Sequence, residues 1–217
     1  MLKPIHKQMR LAIFILCLCF NTCCIWAQSK RFYIQPELAL QGCQIHGDSY
    51  SGYNKPGLSL GMNWIFKTQS KLHYRSGLLI SERGAQHNAN ETNPEQYVVR
   101  LAYVDIPFFA MYKLKKNYTA LCGLTGSVLW FSSEIYNYQN LNEKNSFKPF
   151  DLMLSIALQK QFSKWTVELR NSNSVIPIRD FINPAPYVNF GNPIANFFNR
   201  GLYNNIMCLA VLYTLSH

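Results

Sequence analysis

The stretch LAYVDIPFFAMYKL (Leu101–Leu114) limits the possible folds more than any other part of the chain. It is almost entirely apolar, yet it carries a carboxylate, Asp105, and a proline, Pro107. Successive side chains of a strand point to opposite faces, so a strand gives one uniformly apolar face and one mixed face that holds Asp105. A helix would place Pro107 in its interior, where proline costs about 3 kcal/mol. The stretch is therefore predicted to be a strand, with a local bulge near Pro107.

Eight stretches are predicted to be strands, and most of them alternate in the same way. Their ranges are Arg31–Cys43, Gly57–Phe66, Leu72–Ser81, Tyr97–Leu114, Tyr118–Phe131, Phe150–Phe162, Trp165–Ser174 and Asn205–Leu215. In the fifth, Tyr118 and Trp130 stand at the two ends of the apolar face. At a rise of ~3.3 Å per residue and a tilt near 40°, these rings are about 30 Å apart along the barrel axis. That height matches the apolar band of a membrane barrel with its aromatic girdles.

Short and long connections alternate between these strands. Three connections have five residues or fewer by this assignment, whereas the other four are long, polar and rich in Asn, Ser and Gly. This layout is typical of outer-membrane barrels, whose short turns face the periplasm. The predicted fold is all-β, an eight-stranded antiparallel up-and-down transmembrane β-barrel, because closure removes the sheet edges that lipid does not tolerate. Its apolar faces meet lipid, and Asp105 faces the interior.

Two alternatives assign other roles to the same residues. A soluble periplasmic barrel that carries an apolar ligand would turn every apolar face inward. A lipid-modifying enzyme would place its catalytic groups in the long loops, where the candidates are His46, Asp48, Ser49, His87 and Glu91. No nucleophile or base motif connects those residues, so the prediction assigns no catalytic residue and no enzymatic activity.

The first 27 residues have the pattern of a secretory signal peptide, with a basic start, the apolar run LAIFILCLCF, and Ala27 as the last residue before cleavage. The predicted organisation is a cleaved signal peptide, residues 1–27, and an outer-membrane β-barrel domain, residues 28–217. A membrane anchor and a lipoprotein modified at Cys23 or Cys24 are the alternatives. The run is shorter than the ~20 residues that a spanning helix needs, and NTCC lacks the leucine expected before a lipidated cysteine.

The chain is basic after this cleavage, with 18 Lys and Arg against 11 Asp and Glu, a net charge of +7. Export from the cytoplasm argues against a nucleic-acid partner, and the spread of the charge suits a membrane surface better. The remaining cysteines, Cys43, Cys122 and Cys208, are too far apart for a disulfide framework or a metal pattern. No metal and no cofactor are predicted.

Charged residues also occur at positions that face the barrel interior. They are Glu37, Arg75, Asp105, Asp151, Glu168 and Arg170. The interior of an eight-stranded barrel is filled by side chains, and buried charges need partners. We therefore predict a structural network inside the barrel in which Asp105, Glu168 and Glu37 meet Arg75 and Arg170.

The last long connection, FINPAPYVNFGNPIANFFNRGLY (Phe181–Tyr203), combines aromatic residues with Asn and Gly. Its candidate binding residues are Phe181, Tyr187, Phe190, Phe197 and Phe198. Such a composition suits binding to a protein or a glycan. A lid folded over the barrel mouth is an equally good interpretation.

Two segments resemble the signature hairpin of the PorT-like bacterial outer-membrane β-barrel domain. They are SGLLISERGA (Ser76–Ala85) and LAYVDIPFFAMYKL, where that family reads like ELLYSQKGA and LNYLEIPLLLKYKF. The matching residues are Ser81, Gly84, Ala85, Tyr103, Asp105, Ile106, Pro107, Tyr112, Lys113 and Leu114. TVELRNS (Thr166–Ser172) is similar to the family's seventh strand. The resemblance implies an eight-stranded outer-membrane barrel from about Arg31 to Leu215, but no single activity.

The predicted function is therefore a non-enzymatic structural or binding component of the bacterial cell envelope. The resemblance adds membership of a secretion or envelope complex, because one member of that family serves in protein secretion and gliding. The predicted partners are outer-membrane lipid and, through the long loops, other envelope proteins or glycans.

Overall fold

The computed structural model describes residues 32–48, 50, 52–89, 94–141, 147–180 and 201–215. The strands in these ranges are β1 (Phe32–His46), β2 (Lys55–Phe66), β3 (Leu72–His87), β4 (Tyr97–Lys113), β5 (Tyr118–Tyr136), β6 (Gln139–Asn140), β7 (Phe150–Phe162), β8 (Trp165–Ser174), β9 (Arg179–Asp180) and β10 (Gly201–Tyr213). The predicted signal peptide, residues 1–27, lies outside the described residues. No helix of the described part has the length and apolarity to cross a bilayer.

Eight long strands form a closed antiparallel barrel in the order β1, β2, β3, β4, β5, β7, β8 and β10. Pairing of β10 with β1, from Glu37↔Leu212 to His46↔Tyr203, closes the sheet. The two-residue strands β6 and β9 pair only with β5 and β10. The predicted fold class is therefore confirmed, and β7 and β8 begin and end at the predicted residues.

The two ends of the barrel differ in their connections. At one end, here called the turn end, the turns are residues 67–71, 114–117 and 163–164. The β4–β5 turn holds Lys116 and Asn117 at positive φ angles of 52° and 65°, as in hairpin turns whose twist matches that of the strands. The β7–β8 turn has two residues, as the predicted bounds of these two strands imply. The four long connections lie at the opposite end, here called the loop end.

Side chains alternate between the two faces of the wall as the sequence predicts. Outward residues such as Leu40 and Ile106 are 63% and 58% exposed, whereas inward residues such as Glu37 and Tyr103 are 1% and 0% exposed. An apolar outer wall around a polar interior suits a barrel in lipid. The soluble carrier of an apolar ligand requires the reverse arrangement, so that alternative does not fit.

The bulge predicted near Pro107 does not form. Pro107 pairs with Thr125 of β5 in an unbroken register, and β3 keeps one register with β4 on both sides of the proline. The Pro107 carbonyl accepts a 3.0 Å hydrogen bond from the Ser76 hydroxyl. The strand therefore tolerates the missing N–H because the bonds on either side keep the ladder aligned.

A bulge forms instead at Trp130 in β5. Ala102 of β4 pairs with Phe131, and the next residue, Tyr103, pairs with Leu129, so Trp130 has no partner in β4. The extra residue shifts the alternation by one position. Trp130 and Phe131 consequently both point outward, 66% and 53% exposed.

Apolar clusters occupy both ends of the interior. The cluster nearer the turn end consists of Ile65, Phe109, Met111 and Leu121. The cluster at the loop end consists of Ile45, Ala85, Tyr97, Val99, Leu101, Tyr103, Phe147, Ile178 and Leu202. Along the strands, most of the buried charged residues lie between these two clusters, and they form the candidate site.

Candidate functional site

Three strands of the wall, β1, β3 and β8, bring two arginines and two glutamates together in the barrel interior. Arg75 binds Glu168 through two hydrogen bonds, Nη1–Oε2 at 2.6 Å and Nη2–Oε1 at 3.2 Å. Arg170 binds Glu168 at 3.1 Å through Nη1 and Glu37 at 2.5 Å through Nη2. Two glutamates therefore hold two guanidinium groups in one chain of contacts, which we call the turn-side ion cluster.

Neutral groups add hydrogen bonds to both carboxylates of the turn-side ion cluster. The Gln159 amide donates to Glu168 at 2.6 Å, and the Asn63 amide donates to Glu37 at 2.7 Å. The guanidinium of Arg75 lies 4.5 Å from the centre of the Phe109 ring, and that of Arg170 lies 5.9 Å from it. Each carboxylate thus receives an amide donor as well as a cation, which is what buried charges require.

A second group, the loop-side ion cluster, surrounds Arg83. Its guanidinium contacts Asp105 at 2.5 Å and Asp151 at 3.2 Å, and it lies 4.5 Å from the centre of the Tyr103 ring. Ser81 donates to Asp105 at 2.7 Å. Asp151 accepts further bonds from Ser174 at 3.0 Å and from Asn204 at 2.9 Å.

The structure places the predicted interior residues in two groups rather than one. Glu37, Arg75, Glu168 and Arg170 meet in the turn-side ion cluster. Asp105 does not join them; it binds Arg83, a residue beyond the predicted end of the third strand. Arg83 has the same inward parity as Arg75, so a longer strand in the sequence analysis would have found it.

Residues from the long connections close the mouth of the barrel at the loop end. Phe147 and Ile178 are buried with strand residues in the apolar cluster there. Arg179 binds Glu134 at 2.6 and 3.1 Å, and its guanidinium lies 4.5 Å from the centre of the Phe147 ring. Parts of two loops, residues 147–149 and 175–180, therefore form a fixed cover over the interior.

The profile of a protein family, described as the outer membrane protein beta-barrel domain, matches residues 26–180. The chain belongs to this family. Its wall of outward apolar side chains is accordingly the surface that faces lipid in the bacterial outer membrane. In this family's setting the turn end faces the periplasm and the loop end faces the outside of the cell. A comparison with curated proteins finds no match.

Several solved barrels cover most of this chain at low sequence identity. Ail of Yersinia pestis, in complex with the heparin analogue sucrose octasulfate, is 8% identical with a TM-score of 0.46, and covers 85% of this chain and 99% of its own. Neisserial surface protein A is 10% identical with a TM-score of 0.46, and covers 85% and 97%. CarO of Acinetobacter baumannii is 7% identical with a TM-score of 0.45, and covers 87% and 100%. Likenesses this weak establish no shared function.

Of the loop residues considered for an outer-membrane enzyme, the structure describes His46, Asp48 and His87, and two of these contact Tyr50. His46 Nε2 lies 2.6 Å from the amide nitrogen of Asn205. The His87 ring stacks on Tyr50, with ring centres 4.6 Å apart. Asp48 accepts a 3.0 Å bond from the Tyr50 backbone N–H. The remaining two candidates, Ser49 and Glu91, lie outside the described residues.

Tyr50 joins the first two loops at the rim. Its hydroxyl donates to Glu95 at 2.8 Å, and its ring also stacks on Tyr97, with ring centres 5.3 Å apart. The hydrogen bond from the Tyr50 hydroxyl is the main cause that holds the pKa of Glu95 below its usual value. The first loop is therefore anchored on the second by an aromatic ring and a hydrogen bond to a charged carboxylate.

Asp48 gives this rim a pH dependence that can be measured. Burial raises the pKa of Asp48 from 3.8 to about 6, partly offset by the hydrogen bond from the Tyr50 N–H. A raised carboxyl pKa means that the charged form destabilises the fold above about pH 6, and that stability is regained as the pH falls from 6 toward 4. We expect Asp48→Asn to remove this slope and to raise stability at pH 8 by about 1 kcal/mol, allowing for solvent screening at a half-buried site.

Thermal unfolding in detergent between pH 4.5 and pH 8 measures the effect. The exposed Asp180 supplies the control, because Asp180→Asn should leave the slope as it is in the original protein. A flat profile for the original protein, or a loss of stability in Asp48→Asn at pH 8, would contradict the assignment.

In the ranges that the structure describes, no group of three or more His, Cys, Asp or Glu could hold a metal ion. The free cysteines there are Cys43 and Cys208, which are buried, and Cys122, which is exposed on the outer wall. The five aromatic residues of the last loop that the sequence nominates for binding, Phe181 to Phe198, lie outside the described residues.

Proposed function

We propose that this chain is a non-enzymatic structural or binding component of the bacterial cell envelope that acts through its loop end. The observation that carries the proposal is the closed interior. Paired charges occupy the middle of the barrel, and Phe147 and Ile178 are buried in the apolar cluster at its loop end. An interior occupied in this way offers little room for a substrate, so the loop end is the surface that we assign to binding.

The loop end is also suited to binding because its described parts are held in place. The Glu134–Arg179 ion pair fixes the start of the last loop, and the Tyr50–Glu95 contact joins the first two loops. Preorganised loops lose less conformational freedom on binding. We propose that Phe181, Tyr187, Phe190, Phe197 and Phe198 provide the apolar part of this surface for a protein or glycan.

The proposal extends to two finer points. The hairpin that resembles the PorT-like domain supports a partner in a secretion or envelope complex. Export follows from a signal peptide cleaved after Ala27, which leaves the barrel domain 28–217, and the intact mass of the purified protein tests that cleavage.

Photo-crosslinking in native membranes tests the loop surface directly. A photoreactive amino acid at Phe190 or Phe198 is expected to give the same discrete crosslinked product. The same amino acid at Leu40, which is 63% exposed on the lipid-facing wall, serves as the control and should not give that product. If no product forms from either loop position, or if Leu40 gives the same one, the loop end is not the binding surface.

A glycan partner needs a separate measurement. Replacing all five loop aromatics with serine should abolish binding on a glycan array. Tyr138→Ser, in the tight turn between β5 and β6, removes an 86% exposed aromatic from the same end and should leave binding intact. Equal losses in the two variants would argue against a specific role for the last loop.

A further inference from the structure

Lysines are concentrated around the turn end of the barrel. Seven are exposed there: Lys67, Lys71, Lys113, Lys115, Lys116, Lys160 and Lys164. The surrounding segments, residues 67–74, 108–120 and 156–166, contain no Asp or Glu. Within the described residues, Lys71, Lys113 and Lys115 take part in no ion pair. The turn end is therefore a ring of positive charge.

Three of these lysines stand around one groove on the outer wall. The groove has a volume of about 640 Å³ and is bordered by Lys71, Lys113 and Lys115. Its floor includes Tyr112, Leu114 and Leu158, each about half exposed. The backbone fixes this arrangement, because Lys113 N–H donates to the Lys71 carbonyl at 2.9 Å and so ties the β2–β3 turn to the end of β4.

We propose that this groove binds an anionic phospholipid of the membrane leaflet that surrounds the turn end. The phosphate lies among the ammonium groups of Lys71, Lys113 and Lys115, and an acyl chain lies against Tyr112 and Leu158. Basic clusters beside apolar membrane-facing surface bind anionic lipid headgroups through the charge of each lysine. The groove offers both the basic cluster and the apolar surface.

The apolar floor favours a lipid over a soluble anion. Leu158 belongs to the outward row of β7, next to Ile156, which is 60% exposed on the wall that faces lipid. A free phosphate would use the lysines and leave these side chains in water, whereas an acyl chain covers them. The turn end faces the periplasm, so the lipid beside it is a phospholipid of the inner leaflet.

Neighbouring contacts show where the boundary between lipid and water lies. The Lys160 ammonium lies 5.3 Å from the centre of the Tyr118 ring, which lines the groove, and 4.9 Å from the Phe162 ring. A lysine that runs along aromatic rings toward water is typical of a membrane interface. Lys71, Lys113 and Lys115 lie beside this boundary, which is where the phosphates of lipid headgroups are found.

Native mass spectrometry of the folded protein in detergent tests the proposal with phosphatidylglycerol and phosphatidylcholine as probes. We expect phosphatidylglycerol to bind more tightly than phosphatidylcholine. The double substitution Lys71→Gln and Lys115→Gln should weaken the binding of phosphatidylglycerol about thirtyfold, since each lysine near lipid phosphate contributes about a fivefold factor. Arginine at both positions should restore binding.

The matched control removes the same amount of positive charge from the same end of the barrel. Lys67→Gln with Lys164→Gln removes two lysines outside the groove and should change the affinity about twofold or less. All four substituted lysines are exposed, so both double variants should fold. Gel mobility of unboiled and boiled samples verifies this. Equal losses in the two double variants would overturn the groove as the site. An equal affinity for the two lipids would overturn the selectivity, and inorganic phosphate binding as tightly as phosphatidylglycerol would overturn a lipid as the ligand.

Discussion

Arg170→Met is expected to destabilise the barrel by about 3–5 kcal/mol, or to prevent its folding, because it removes one partner from a buried ion pair. Glu37 would keep only the Asn63 amide as a donor, and it is 1% exposed. Urea unfolding in detergent, followed by tryptophan fluorescence, measures the change. The mobility of the unboiled protein on a gel shows whether the barrel forms at all.

Two further variants separate the loss of this pair from a general effect of mutation. Arg170→Met combined with Glu37→Gln removes both charges and should recover at least half of the lost stability, because no carboxylate is left without a cation there. Lys148→Met breaks an ion pair whose side chains are 40% and 63% exposed and should cost less than about 1 kcal/mol. If Arg170→Met were as stable as Lys148→Met, the turn-side ion cluster would have no structural role.

Gly84→Ala should cost about 3 kcal/mol through the backbone of β3. Gly84 has a φ of +144°, a conformation that is strained for other residues. A Cβ at this position would lie 2.0 Å from the Val99 carbonyl oxygen, so the neighbouring strand would also have to move. The same unfolding assay in urea measures the loss.

Gly126→Ala, in β5, is the matched control. A Cβ there meets nothing within 4 Å, and Gly126 has no positive φ angle. Its substitution should therefore change stability by about 0.5 kcal/mol or less. Comparable losses at the two glycines would mean that the conformation assigned to Gly84 is wrong.

The period-two pattern is sufficient to predict the barrel, because one face of each strand meets lipid and the other meets the polar interior. It located β7 and β8 at both ends and gave the correct direction to Glu37, Asp105 and Glu168. It stopped β3 at Ser81, since the following residues, ERGAQH, interrupt the apolar alternation. Arg83 was missed for that reason, although its parity is the same as that of Arg75.

Which charges pair across the barrel could not be predicted from the pattern. Parity gives the direction of a side chain but not its height relative to strands on the opposite wall, which depends on tilt and stagger. Asp105 was therefore assigned to Arg75 and Arg170 rather than Arg83. The bulge at Trp130 was hidden as well, because two adjacent aromatic residues fit the end of an apolar face in either phase.

The extra residue at Trp130 also determines where β5 tolerates mutation. Before Trp130 in the sequence, Thr125 and Ser127 face inward, whereas after Trp130 the buried inward residue is Glu134. A systematic scan of substitutions should therefore show a change of phase within one strand, with odd positions sensitive to size before Trp130 and even positions sensitive after it. Alignments or designs that extend a single alternation through β5 would turn the Glu134 carboxylate outward and bring Ile135 into the interior in its place.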